Sequence, residues 1–309
     1  MSAETSSEPS PASQPDKGLP AVQAPSGRHI LQLFVIPGLI VAGAVTILLG
    51  FSWLAGGSRT PEQFLKNIES SNTDIRWRAA NDLAQVLKRD DQLAANVGFA
   101  MKVSELFQKS LVDLEQAEKD LAAAATGGNS KEIAQAKKNL AGLRSYVQYL
   151  GACLGSFSVP VGAPLLCDLA RNGRGSDPTL RTFLRRQAVW SLANLGDNQR
   201  RFAKLSTEQQ DAIRQELKSE ASVGSDRAGW ARTVLANMED RRPLGVIASL
   251  VHCSKEDRDI FLREQAAHAL IFWNGDADEN RLAEQALLEL TRDTGRGERI
   301  TVDESNERP

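Results

Sequence analysis

The chain has 309 residues, a formal net charge of −2 and 25% charged side chains, so it offers no electrostatic footprint for nucleic acid. Three cysteines, Cys153, Cys167 and Cys253, sit at irregular spacings that exclude a disulfide framework. With only three histidines, most general-base schemes lack a residue to carry them. Residues 1–29 are rich in Ser, Pro, Ala and Glu without a periodic apolar face, and are expected to form a disordered tail.

From Ile30 to Ala55, 26 residues pass without one ionisable side chain. At ~1.5 Å per residue the run spans ~39 Å, more than the ~30 Å hydrocarbon core of a bilayer. The segment 30–55 is therefore expected to be a single transmembrane helix, too long for a cleaved signal. Arg28 lies nearer the apolar edge than Arg59, which favours the tail inside and the body on the non-cytoplasmic side. Gly38, Ala42, Thr46 and Gly50 fall four apart on one face, a stripe on which two such helices can pair as a homodimer.

Beyond the anchor the chain has helical 3–4 spacing throughout and almost no strand signal. The segment Ala188-Val189-Trp190-Ser191-Leu192-Ala193-Asn194-Leu195-Gly196-Asp197 recurs in part as Ala231-Arg232-Thr233-Val234-Leu235-Ala236-Asn237-Met238-Glu239-Asp240. Arg185-Arg186-Gln187-Ala188 returns as Arg263-Glu264-Gln265-Ala266, and Arg76 to Ala84 matches it again. Equivalent apolar positions Val86, Leu154, Leu195, Met238 and Trp273 lie 68, 41, 43 and 35 residues apart. Periods near 40 with two helices per unit predict an α-solenoid over 60–292. The first helices of the units are expected at Pro61–Ser70, Pro164–Arg171, Thr207–Ser219 and Pro243–Cys253, with Glu279–Arg292 unpaired at the end. Asp74, Asp177 and Asp259 lie a few residues before Arg76, Arg185 and Arg263, as ties for the turns or a ladder across repeats. The basic pairs Arg185–Arg186, Arg200–Arg201 and Arg241–Arg242 are expected as solvated helix ends.

The Asp-x-Arg-x-x-Ala-Ala start at Asp74–Ala80 and the Leu-Gly-Asp ending at Leu195–Asp197 resemble HEAT repeats, especially the short form called PBS-lyase HEAT-like, an armadillo-type arrangement. The resemblance implies a curved stack that binds proteins; the lyase activity of some members has no matching motif here. The long first interval holds two heptad-like seams separated by Gly127-Gly128, which predict an antiparallel helical hairpin over 101–155. Asn129 and Glu132 form a capping-box start for its second arm. Residues 294–309 are polar and featureless, expected as a second disordered tail.

No phosphate-binding glycine loop is present; Gly173-Arg174-Gly175 has the composition of a turn. Gly151-Ala152-Cys153-Leu154-Gly155 copies a nucleophile elbow in letters only, because the heptad seam runs through it. His252, Cys253 and His268 supply too few ligands for zinc, so no metal, cofactor or catalytic residue is assigned. The expected function is a membrane-anchored scaffold for a protein partner, without catalysis. Its contacts are expected among Arg185, Trp190, Asn194, Trp230 and Asn237; the tryptophans of the repeated helices, Trp77, Trp190, Trp230 and Trp273, are expected first as core residues, with Trp190 and Trp230 the pair that a concave binding face would expose. Two alternatives are an enzyme on the same frame using His252, His268 and Glu264, and a structural anchor subunit of a membrane complex.

Overall fold

A computed structural model describes residues 35–48, 60–127, 129–222, 226–240 and 242–292. Both expected tails, Gly50 and Arg241 lie outside the described residues, as do the two ends of the 30–55 run. The chain divides into two units, residues 1–59 and 60–309. In the first, helix α1 covers 35–48, ~21 Å at 1.5 Å per residue. No helix among the described residues is long and apolar enough to cross a membrane. Gly38, Ala42 and Thr46 are exposed on α1, and the Thr46 hydroxyl donates to the Ala42 carbonyl at 2.7 Å.

The second unit is helical, with no β-strand among the described residues. Its elements are α2 (Pro61–Ile68), α3 (Thr73–Leu87), a short α4 (Asp91–Ala94), α5 (Val97–Gly127), α6 (Ser130–Ser156) and α7 (Ala163–Asn172). They continue with α8 (Pro178–Phe202), α9 (Thr207–Ala221), α10 (Asp226–Asp240), α11 (Val246–Glu256), α12 (Ile260–Leu270) and α13 (Ala277–Thr291). The boundaries follow local chemistry. Asn72, Asp177, Asp259 and Asp276 cap their helices through side-chain oxygens. Pro61 and Pro178 occupy first turns, where no amide partner is needed. Asn129 and Glu132 close a capping box at the start of α6.

Packing sorts these helices into two layers. Helices α3, α6, α8 and α12 lie side by side in that order, while α11 packs between α7 and α13. Such layering is compatible with an α-solenoid. One core runs through it, from Ile68 and Leu83 to Leu154, Leu192, Leu250 and Leu262. The repeated Leu-Gly endings have a physical use. A Cβ on Gly155 would lie 2.6 Å from the Ser191 carbonyl oxygen, so the end of α6 presses on the backbone of α8. A Cβ on Gly196 would meet the indole nitrogen of Trp273 at 2.7 Å, where α8 meets the turn after α12. That indole donates to the Leu192 carbonyl at 2.8 Å.

The order of stacking departs from the sequence periods. The unit built from α9 and α10 does not sit between α8 and α12, which touch directly; α9 packs on α10 and on α5. The reason lies in α9, which buries only Ile213 and Leu217. A helix inside a stack needs apolar surface on two sides, and this one has a single narrow stripe. Polar contacts hold the side pair instead: Glu216 accepts from the Gly98 amide at 2.8 Å, and Arg227 meets Glu105 at 2.6 Å.

The hairpin of α5 and α6 has arms of 31 and 27 residues, longer than the periodic seams alone imply. Beyond Ala117 on one arm and before Leu143 on the other, no described side chain is buried. The far end of the hairpin is thus exposed or half-buried on both arms. At its base Glu118 reaches across to accept from the Ser176 amide at 2.8 Å and from the Asp177 amide. The amides beside Gly173-Arg174-Gly175 thus hold an anion, the chain's own carboxylate. Because Gly155 and Gly196 admit no side chain, Gly155→Ala and Gly196→Ala should each destabilise the protein by about 1–3 kcal/mol. Urea denaturation of the full chain checks this.

Candidate docking groove

Three arginines fasten the second-helix layer, each on the next helix along. The Arg76 guanidinium of α3 lies 4.1 Å from the ring centre of Tyr146 on α6. Arg144 of α6 lies 3.8 Å over Phe183 on α8, and Arg186 of α8 lies 4.7 Å over Phe261 on α12. Stacking on an aromatic face suits the planar, weakly hydrated guanidinium. The last rung is also an ion pair. Arg186 binds Asp259 in bidentate fashion at 2.7 and 2.8 Å, and the Asp259 side chain is wholly buried. Asp259 simultaneously accepts from the Phe261 amide to cap α12.

The ladder between repeats therefore exists, but with other members than the sequence spacing selects. Asp177 serves as a cap and Asp259 takes Arg186. Of the basic pairs, Arg200 and Arg242 are solvated, with side chains 69% and 72% exposed, whereas Arg185, Arg186 and Arg201 are engaged. Arg185 donates to the Ala170 carbonyl at 2.8 Å and pairs with Asp257, and Arg201 binds the Leu87 carbonyl at 2.9 Å together with Asp91.

On the open side of this layer the four helices bound a groove of about 280 Å³. Trp190 and Phe261, on neighbouring helices, both line it, with 41% and 38% of their surface exposed. Tyr149 completes the aromatic wall, stacked on Trp77 with ring centres 5.9 Å apart. Lys88 from the end of α3 holds its ammonium 5.9 Å from the Trp190 ring centre. Between the aromatics the lining is amide: Asn81, Gln85, Gln148, Gln187 and Gln265.

Of the residues singled out from sequence, the structure brings only Trp190 into this groove. Asn194 is half-buried on α8, one turn beyond Trp190. Arg185 is occupied with Ala170 and Asp257. Trp230 is 8% exposed, in the core of the α9–α10 pair rather than on a shared face with Trp190. Asn237 lines a different cleft of about 950 Å³ and donates to the Arg242 carbonyl at 2.8 Å. Sequence reasoning missed Phe261, Tyr149 and the amides. A signal for two of them was present, because Gln187 and Gln265 hold the same place in the repeated Arg-x-Gln-Ala segment.

In the two larger clefts several polar groups are engaged within the chain. In the 950 Å³ cleft Gln199 donates to Leu195 and Ser158, and Asp276 caps α13. In the cleft of about 1070 Å³ beside the hairpin base, Glu118 and Asp177 accept backbone amides. His252, His268 and Glu264 line neither cleft nor the groove. His268 is exposed, edge-on to Phe272 at 5.2 Å. Among the described residues no group of three or more His, Cys, Asp and Glu is placed to hold a metal ion.

Cys153 is fully buried in the last turn of α6 and donates to the Ala80 carbonyl at 3.2 Å. Burial pushes its thiol well above the ordinary range, raises that of Cys253, and lifts Cys167 to about 11. These are inert core thiols rather than nucleophiles. Comparison of the chain with protein-family models, curated proteins and solved structures finds no match.

Asp259→Ala leaves Arg186, whose side chain is 11% exposed, facing the empty site, so it should destabilise the protein by about 3–5 kcal/mol. Replacing both members, Asp259→Ala with Arg186→Met, should recover most of the loss in urea denaturation. The thiols have their own signature. Unfolded cysteine ionises near pH ~8.5. Stability is therefore full below that value and falls as pH rises toward the folded value of about 11 at Cys167. Urea midpoints should drop between these limits, and Cys167→Ala should lessen the slope.

Proposed function

We propose that this protein is a membrane-tethered, HEAT-like scaffold that docks a protein partner in the groove across α3, α6, α8 and α12. The single observation that carries the reading is the exposure of Trp190 and Phe261 on adjacent helices, inside a concave surface rather than scattered over a convex one. Aromatic anchors set in a pocket supply most of the energy at protein interfaces. The rung of Arg186 on Phe261 and Asp259 holds one wall of that pocket in place before anything binds, which lowers the entropy lost on docking.

Two further features support the scaffold. The repeated Leu-Gly and Arg-x-Gln-Ala segments make successive helices equivalent, as in an α-solenoid, which presents a long surface on a rigid frame. The uncharged run from Ile30 to Ala55 has the length to cross a bilayer, and tethering there raises the local concentration of whatever the groove holds. The basic residue at Arg28 favours the body on the non-cytoplasmic side.

Cross-linking of the full chain in its native membrane should capture a protein partner that the first 59 residues alone do not retain. Trp190→Ala should weaken that capture by at least about thirtyfold, in line with a ~2 kcal/mol hot spot, while helical content stays unchanged. Equal capture by the truncated protein defeats the reading.

A further inference from the structure

The groove's amides say what kind of partner it takes. Every one of Asn81, Gln85, Gln148, Gln187 and Gln265 lacks a side-chain hydrogen bond to any described residue, and the Gln265 carbonyl oxygen is buried without a partner. Toward the end of α8, by contrast, Asn198 donates to the Gly155 carbonyl and Gln199 to that of Ser158. A carboxamide offers two donors and one acceptor, the complement of a peptide unit. An α-helix has its backbone groups satisfied internally and leaves such amides nothing to bind, whereas an extended chain exposes one donor and one acceptor per residue. The spacing agrees. Packed helices lie ~8–10 Å apart, and three residues of an extended chain cover ~10 Å.

The charge of the lining points the same way. It contains two cations, Lys88 and Arg186, and no carboxylate. Asp259 balances Arg186 from beneath, so Lys88 at the Trp190 end sets the sign of the groove.

We propose that the groove selects an extended peptide segment bearing an acidic side chain, with its backbone bonded to the amides of α3, α6, α8 and α12. The carboxylate meets Lys88, and an apolar side chain of the same segment covers Trp190. The proposal rests on the docking reading above and adds the conformation and charge of what docks.

A displayed library of random twelve-residue peptides, panned on the full-length protein in detergent micelles, tests it. The enriched sequences should carry Asp or Glu and no 3–4 apolar periodicity. Their affinity, read by fluorescence anisotropy of the labelled peptide, should fall at least about tenfold with Gln187→Ala plus Gln265→Ala. Lys88→Glu should turn the selection toward Lys and Arg. Circular dichroism and thermal unfolding should match the parent in both variants, since Lys88 is exposed and neither Gln makes a bond to lose. Enrichment that Trp190→Ala abolishes, but of neutral, basic or helically patterned peptides, overturns this proposal and leaves the docking groove standing. Enrichment that ignores Trp190→Ala, or none at all, overturns both.

Discussion

The second-helix layer depends on arginines that reach forward onto the next helix. A guanidinium over an aromatic ring tolerates partial burial that an ammonium would not, because its charge is spread over a plane and only loosely hydrated. Arg76, Arg144 and Arg186 each use this property at a helix-to-helix step. The third adds a buried carboxylate, and a buried ion pair fixes geometry more surely than it adds stability. Helix register is thereby set at three points along the layer. With the register fixed, the amides and aromatics of four separate helices come to face one groove.

The glycines act on the same layer from the other end. Where arginines set how helices are rotated, Gly155 and Gly196 set how closely they approach. Both occupy the same place in the repeated segment, so one local solution serves two successive interfaces. The thiols of Cys153 and Cys253 extend this economy, each donating to an alanine carbonyl of a neighbouring helix, Ala80 and Ala170. Small groups at repeated positions let the main chains come together, and long ones bridge the gaps that remain.

Much of this was legible in the sequence. Helix class, the cap at Asn129, the hairpin and the near-exact starts of α2, α7 and α9 all rest on local chemistry, which a linear string displays. Stacking order does not. The repeat between Thr207 and Asp240 matches its neighbours in pattern, yet its first helix has one apolar stripe, and a stripe's width decides whether a helix is sandwiched or lies against one partner. Ion-pair identity was equally hidden: Arg185 and Arg186 are adjacent, and only the helical phase decides which meets Asp257 and which meets Asp259. For Trp190, repeat position placed it on the open side of its helix, while Trp230 in the excluded pair turned inward.

Setting α9 and α10 aside has a consequence for how the molecule comes together. In a simple repeat array each unit condenses on the one just before it in the chain, and order spreads step by step along a line. Here α12 must find α8 across a loop that contains a whole helical pair, so the final step is a ring closure between distant parts of the chain. The end of the stack is a separate kinetic event, and the side pair works as its spacer.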